Sequence, residues 1–383
     1  MSTTTRPTLE IVARHAGVSR QTVSNVLNAP HVVRASTLQR VRASIDELGY
    51  RPSSAARQLR TRRSRVLGLR LEPVRDGING AVLDRFVHAL TDSAQDRGYR
   101  VMLFTAADDR QEIARYGELL DSDDLDAFVL TSTHRDDRRA AWLTEHGIPF
   151  VTFGLPWSAL EQDSHPWVDV DGRAGTREAV RHLRELGHRR IAFLGWPEGS
   201  DVGEDRAGGW LSAMADTGLS AAELSRLRAR VPDGVASGAQ GTERLLADGN
   251  PTAIVAASDS LALGALTVAR RNRVAVVGFD DTPVAAAVGL SSVAQPLVDT
   301  ARASVDLLLA QLGEGEPAAD RQVLLTRTWS GAPPPPRHRP LDPHDPLPSP
   351  AQLLGPTPPE GALPCERPAS QRRRPSAPPT CSP

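Results

Sequence analysis

Along the first fifty positions, apolar residues recur every three or four residues in three short runs. Leu9, Val12 and Ala13 make the first, Val23, Val26 and Leu27 the second, and Val41, Ile45 and Leu48 the third. Each run carries helix punctuation. Thr8 and Ser19 can N-cap the first two helices, and Ser36-Thr37-Leu38-Gln39 reads as a capping box opening the third. Gly17 and Gly49 can take the left-handed conformation that ends a helix. From Val66 the pattern changes. Short apolar strands near 66–71, 101–104, 126–130, 150–153, 168–170, 191–194, 253–257 and 274–279 alternate with amphipathic helices. The helices are expected near 81–97, 109–120, 137–146, 172–186, 205–217, 237–248, 259–270 and 297–312. Such alternation predicts parallel sheets covered by helices on both faces, and this many strands divide best into two sheets.

The expected class is therefore α/β with an all-α head, in four segments. Residues 1–52 form a three-helix head, 53–65 a short basic linker, 66–330 a body of two α/β subdomains, and 331–383 a tail. The tail holds 18 of the 31 prolines, a composition that cannot pack a core and is expected to be disordered. Charge sharpens the division. Residues 1–65 contain twelve arginines against three acids, so although the whole chain has a net charge of −1, a strongly basic head is joined to an acidic body. That asymmetry is the footprint of a nucleic-acid-binding module on a regulatory domain. No apolar run reaches the roughly 20 residues of a bilayer-spanning helix, and the polar start does not read as a signal peptide. Both cysteines, Cys365 and Cys381, fall in the tail, which leaves the body without a disulfide or thiolate site and suits a cytoplasmic protein. Nothing points to a cofactor, a metal or a catalytic motif, so no enzyme activity is expected.

The first two helices have the spacing of a helix-turn-helix, in which the second helix presents a polar face to the major groove. That face carries Arg20, Gln21 and Asn25, with Thr22 and Ser24 beside it. Arginine can pair bidentately with guanine, and glutamine or asparagine with adenine. Ser19, Ser24 and the remaining arginines can hold phosphates. In the body, ligands of open α/β sheets bind beyond the carboxyl ends of strands. Gly278-Phe279-Asp280-Asp281 follows one apolar strand, and Arg206 opens a helix after another. A carboxylate and a guanidinium facing across a cleft make a polyol clamp. Equally, Asp280 can be a helix N-cap and Arg206 a surface ion-pair partner; residue chemistry alone leaves both readings open.

Thr8 through Asn28, continued by Leu48-Gly49-Tyr50-Arg51-Pro52 and Ala55-Ala56-Arg57-Gln58-Leu59-Arg60, resembles the head of the LacI/GalR family of transcriptional regulators. His182-Leu183, Gly187 through Gly195, Arg206…Gly209-Trp210, Ser258 through Gly264 and Val276 through Asp281 resemble its periplasmic-binding-protein-like sensor. The resemblance spans about residues 8–330. It implies a homodimer or tetramer that binds a pseudopalindromic double-stranded operator and answers to a small, sugar-like effector. It assigns DNA contacts to Thr8, Ser19, Arg20, Gln21, Thr22, Ser24, Asn25, Asn28 and Tyr50. It makes 53–65 a hinge whose Leu59 wedges into the minor groove with Ala56 beside it; residue chemistry alone favours reading Leu59 as an ordinary exposed linker leucine. Arg206, Asp280, Ser258 and Trp157 become effector-binding candidates, with Phe153–Trp157 at the crossover between subdomains, where Trp157 serves either as a stacking ring or as a hinge residue. Three features depart from the family pattern: Asn25, where many members have arginine; Ser258, where many have asparagine; and the very short link Arg270-Arg271-Asn272-Arg273.

The implied function is sequence-specific regulation of transcription, as a repressor under allosteric control. A solute-binding protein or enzyme on the same body fold is the alternative, and specific DNA recognition discriminates the two.

Overall fold

The computed structural model describes residues 7–51, 63–71, 80–122, 125–157, 165–315 and 320–325, with the backbone alone at 329–330. The basic linker over 53–62, with Ala56 and Leu59, and the proline-rich tail lie outside the described residues.

Three helices build the head: α1 (Leu9–His15), α2 (Arg20–Asn28) and α3 (Ala35–Leu48). Thr8 Oγ1 accepts from the Ile11 N–H at 3.4 Å and Ser19 Oγ from the Thr22 N–H at 3.1 Å, so both expected caps form. Gly17 and Gly49 sit at φ 64° and 62°, in the left-handed region that only glycine occupies without strain. The expected capping box does not form. The third helix begins at Ala35, with Arg34 at the cap position and no side-chain bond there, so Ser36 is already inside the first turn. Val12, Val23 and Val41 are wholly buried where the three helices meet, and Leu9, Leu27, Ile45, Leu48 and Tyr50 pack around them.

The body carries ten strands in sequence before its final crossing: β1 (Val66–Arg70), β2 (Arg100–Phe104), β3 (Ala127–Leu130), β4 (Phe150–Phe153), β5 (Trp167–Val170), β6 (Ile191–Gly195), β7 (Arg228–Arg230), β8 (Ala253–Ala256), β9 (Ala275–Asp280) and β10 (Ser291–Ala294). Strands β11 (Gln322–Leu325) and β12 (Trp329–Ser330) close the described chain. The first sheet has the order β11-β5-β4-β3-β1-β2 and the second β12-β10-β9-β8-β6-β7. Every pairing is parallel except that of β10 with β12. Burial of a parallel strand on both faces explains the unbroken apolar runs of β3, β6 and β8.

Helices α4 (Gly80–Asp96), α5 (Asp109–Asp121) and α6 (Arg138–Glu145) belong with the first sheet. Helices α7 (Gly172–Glu185), α8 (Asp201–Met214), α9 (Ala221–Arg226), α10 (Val235–Gly249), α11 (Asp259–Asn272) and α12 (Pro283–Ala287) belong with the second. The last, α13 (Leu297–Gln311), returns to the core of the first. Helix α8 starts at 201 rather than the expected 205 because Ser200 caps it, accepting from the Gly203 N–H at 3.2 Å.

Two sequence expectations are corrected here. Phe153–Trp157 is not the crossover, because β5 still pairs with β4 in the first sheet, Thr152 opposite Trp167 and Phe153 opposite Val168. The chain crosses after Val170, again between Ala294 and Leu297, and again after Leu325. The short 270–273 link is also no break: α11 runs to Asn272, Arg273 turns left-handed at φ 56°, and β9 begins two residues later.

Candidate DNA-reading face and effector cleft

On α2 the buried stripe of Val23 and Val26 fixes which side faces outward. Arg20, Gln21 and Asn28 are exposed on that side, with Thr22, Ser24 and Asn25 half-buried. Gln21 Nε2 donates to Asn25 Oδ1 at 2.9 Å, one helical turn away, so the two amides are held as a unit. Asn28 Nδ2 donates to the Ser24 carbonyl at 2.7 Å, and the Ser19 and Thr22 hydroxyls bond at 2.9 Å. Arg14, Arg20, Arg34, Arg40, Arg42 and Arg51 are all exposed. Thr8 is a helix cap, and Tyr50 packs half-buried on the head core. The head thus exposes, on α2, amides of the kind that can pair with base edges and, across its surface, guanidinium groups of the kind that can hold phosphates.

In the second subdomain, Arg206 and Asp280 do come together. Both are buried, at 6% and 5% exposure, with Nη1 3.6 Å from Oδ1. Nη1 also donates to the Ala257 carbonyl at 2.5 Å, and the guanidinium lies over the Phe279 ring, 3.5 Å from its centre. Burial excludes the surface ion-pair reading of Arg206. The N-cap reading of Asp280 fails too: α12 is capped by Thr282, while Asp280 Oδ1 accepts from Gln295 Nε2 at 2.6 Å. Asp280 and Asp281 have φ of 117° and 51°, a strained turn for two non-glycine residues. It is braced by wholly buried Asp259, which accepts from the Thr282 N–H (2.7 Å), Thr282 Oγ1 (2.8 Å) and Ser292 Oγ (2.6 Å). Gly278 is required beside it, because a Cβ there would strike Asp259 Oδ1 at 2.2 Å.

Ser258 caps α11 and donates to Asp233 Oδ1 at 2.6 Å. Trp157 stands in the loop after β4, half-buried, donating to Thr133 Oγ1 at 3.3 Å, so its described polar bond lies within the first subdomain. Sequence reasoning missed two acids. Asp233 faces Arg206 from the loop after β7, and Asp169 faces it from the end of β5, accepting from the Leu155 (3.1 Å) and Val170 (2.7 Å) N–H groups. Both lie near the carboxyl end of a strand, the signal that was available. Burial pushes the Asp280 carboxyl up to about 7 and Asp169 up to about 6, each against the pull of Arg206. Burial likewise lowers the guanidinium of Arg206, against Asp280, Asp169 and Asp233.

The two subdomains touch at named bonds. Arg135, in the loop after β3, donates through Nη2 to Asp201 Oδ1 at 3.0 Å and through its N–H to Oδ2 at 3.2 Å. Arg85 of α4 donates to the Asp281 carbonyl at 3.0 Å.

Residues 8–53 match the family model described as bacterial regulatory proteins, lacI family, and residues 180–330 match a periplasmic binding protein-like domain. The HTH-type transcriptional regulator CelR of Thermobifida fusca is 35% identical over 326 residues, which cover 80% of this chain and 92% of that protein. Among solved structures, a transcriptional regulator CelR–cellobiose complex superposes with a TM-score of 0.61 at 31% identity, covering 85% of this chain and 98% of the other. The lac repressor dimer bound to operator and the anti-inducer ONPF superposes with a TM-score of 0.69 at 26% identity, covering 85% and 97%.

Proposed function

The chain belongs to the LacI family of bacterial transcriptional regulators, and on that premise we propose that it acts in the cytoplasm as a homodimeric repressor of a pseudopalindromic operator, switched by an uncharged, hydroxyl-rich ligand of the sugar class. It is a DNA-binding regulator rather than an enzyme. The observation that carries the switch is the buried Arg206 guanidinium facing Asp280, with Asp169 and Asp233 close by. Three carboxylates around one guanidinium repel an anionic ligand and accept the hydroxyl protons of a neutral one. Cellobiose, the ligand of the similar CelR complex, is the first sugar to try.

On the DNA side, Arg20 and the Gln21–Asn25 pair read base edges, the exposed arginines hold phosphates, and Leu59 wedges into the minor groove. The ligand sits between the strand ends of the two subdomains, and Trp157 borders it from the first. Its differential contacts with the two subdomain arrangements shift the pair of heads by a coupling of typically ~1–3 kcal/mol.

Selection of bound fragments from random DNA, followed by footprinting, tests the operator reading; a preferred, two-fold-related site is expected. No preference for any duplex at low ionic strength sinks it. Leu59→Ala is expected to weaken the selected site by roughly tenfold, about 1.4 kcal/mol, and random DNA by much less. Equal losses on both remove the wedge.

A further inference from the structure

Two buried hydrogen-bond donors beside the cleft have no acceptor among the described residues. Arg206 spends Nη1 on Ala257 and Asp280, but its buried Nε has no hydrogen-bond partner among them. The indole Nε1 of Trp196 is buried and unpartnered as well. The two side chains are neighbours: the Arg206 guanidinium carbon lies 5.1 Å from the centre of the Trp196 ring. Trp196 immediately follows β6, at the carboxyl end where ligands of such sheets bind. Its ring is seated on the first turn of α8, where Gly203 leaves room; a Cβ there would come within 3.2 Å of Trp196 Cε3. Apolar packing therefore fixes the ring without using its polar atom.

A buried N–H without an acceptor carries a desolvation penalty, and native interiors rarely tolerate one without a reason. Two on neighbouring side chains, one on α8 and one in the loop that leads into it, suit an oxygen acceptor. We infer that the indole N–H of Trp196 is a further effector-recognising group, which together with Arg206 Nε donates to an oxygen of the bound molecule. This rests on the effector reading above. A sugar hydroxyl satisfies the whole arrangement: its proton goes to a carboxylate of Asp280 or Asp233, and its lone pairs accept from the tryptophan and the arginine. Phenylalanine at 196 keeps the ring seat and deletes the donor.

The test measures calorimetric affinity of the full chain for cellobiose, glucose, galactose and ribose, in wild type and Trp196→Phe, alongside the melting temperature of each free protein. Wild type is expected to bind at least one of these sugars, and the variant to bind it about tenfold more weakly. The free variant should melt at or slightly above the wild-type temperature, since an unmet donor has been removed. Equal affinities overturn the inference and leave the effector reading standing. Failure of wild type to bind any of the four overturns the saccharide reading and the inference with it. A melting temperature that falls in the variant is resolved on the wild type by its indole 1H–15N resonances. The signal absent from Trp196→Phe must move on saturation with sugar, and a stationary signal overturns the inference.

Discussion

The first half of the sensor buries Arg139, with Arg70 beside it on Glu112, and the second buries Arg206; Arg139 and Arg206 are treated in opposite ways. Arg139, at the start of α6, is fully enclosed and saturated: Nε and Nη2 grip Asp137 at 2.9 and 2.7 Å, Nη1 meets Glu112 at 3.0 Å, and Nη2 also reaches the Thr131 and Ser132 carbonyls. Burial alone would lower its pKa, but the bonds and charges of Asp137 and Glu112 outweigh burial and leave it raised. This clamp holds a loop with two left-handed non-glycine residues, Ser132 and Asp136, from which Arg135 reaches the other half. Arg206 is almost as deeply buried, yet one of its donors is orphaned and burial wins, lowering its pKa. A buried charge with every valence met is part of the scaffold. One left with an unmet donor fits the effector role proposed for Arg206 above.

The comparison breaks most visibly at Arg139. Arg139→Leu leaves Asp137 buried without its guanidinium partner and Glu112 with Arg70 alone, at 2.7 Å, and is expected to cost about 3–5 kcal/mol in denaturant unfolding. A cost below ~1 kcal/mol would mean the clamp is not structural. Arg206→Leu is expected to divide the two roles. Sugar binding and sugar-dependent release from the operator should fall at least 100-fold, about 2.7 kcal/mol, while the unliganded protein loses under ~1 kcal/mol. A stability loss as large as that at Arg139 would erase the distinction. The smallest effect concerns pH. Asp280 and Asp169 carry folded values of about 7 and 6, above their unfolded range, so between pH 4 and 7 the folded chain binds more protons than the unfolded. Stability contributed by these groups is therefore lost as pH rises through that window. Asp280 is faced by Arg206, Asp259, Asp233 and Gln295. Asp280→Asn is expected to flatten the fall in melting temperature between pH 5.5 and 8; an unchanged slope would contradict it.

What the sequence made legible was mostly local. Thr8, Ser19, Gly17 and Gly49 act on neighbours within four residues, and each does in the fold what its chemistry suggests. Long apolar runs such as Ile191–Gly195 declare buried parallel strands. Strand β7, Arg-Ala-Arg, and strand β10, Ser-Ser-Val-Ala, carry no such run and escaped notice. Their strand state comes from pairing with β6 and β9 rather than from composition. The site was half visible. Arg206 and Asp280 stand in recognisable motifs, but Asp169, Asp233 and Trp196 gain their meaning only when β5, β7 and β6 are brought side by side. Ser36 misled because a cap depends on where the preceding turn delivers the chain, and that turn is the 3-10 segment Pro30–Val32.

The threefold crossing of the chain sets an order of assembly. The second sheet has five of its six strands once Ala294 has been made. The half next to the head must wait for α13 to fill its core and for β11 to flank β5. During synthesis the DNA-reading helices emerge first, and neither half of the body is complete until β11 and β12 have been made. A nascent or prematurely terminated chain thus carries a finished reader on an unfinished switch, able to occupy an operator before anything can tell it to leave.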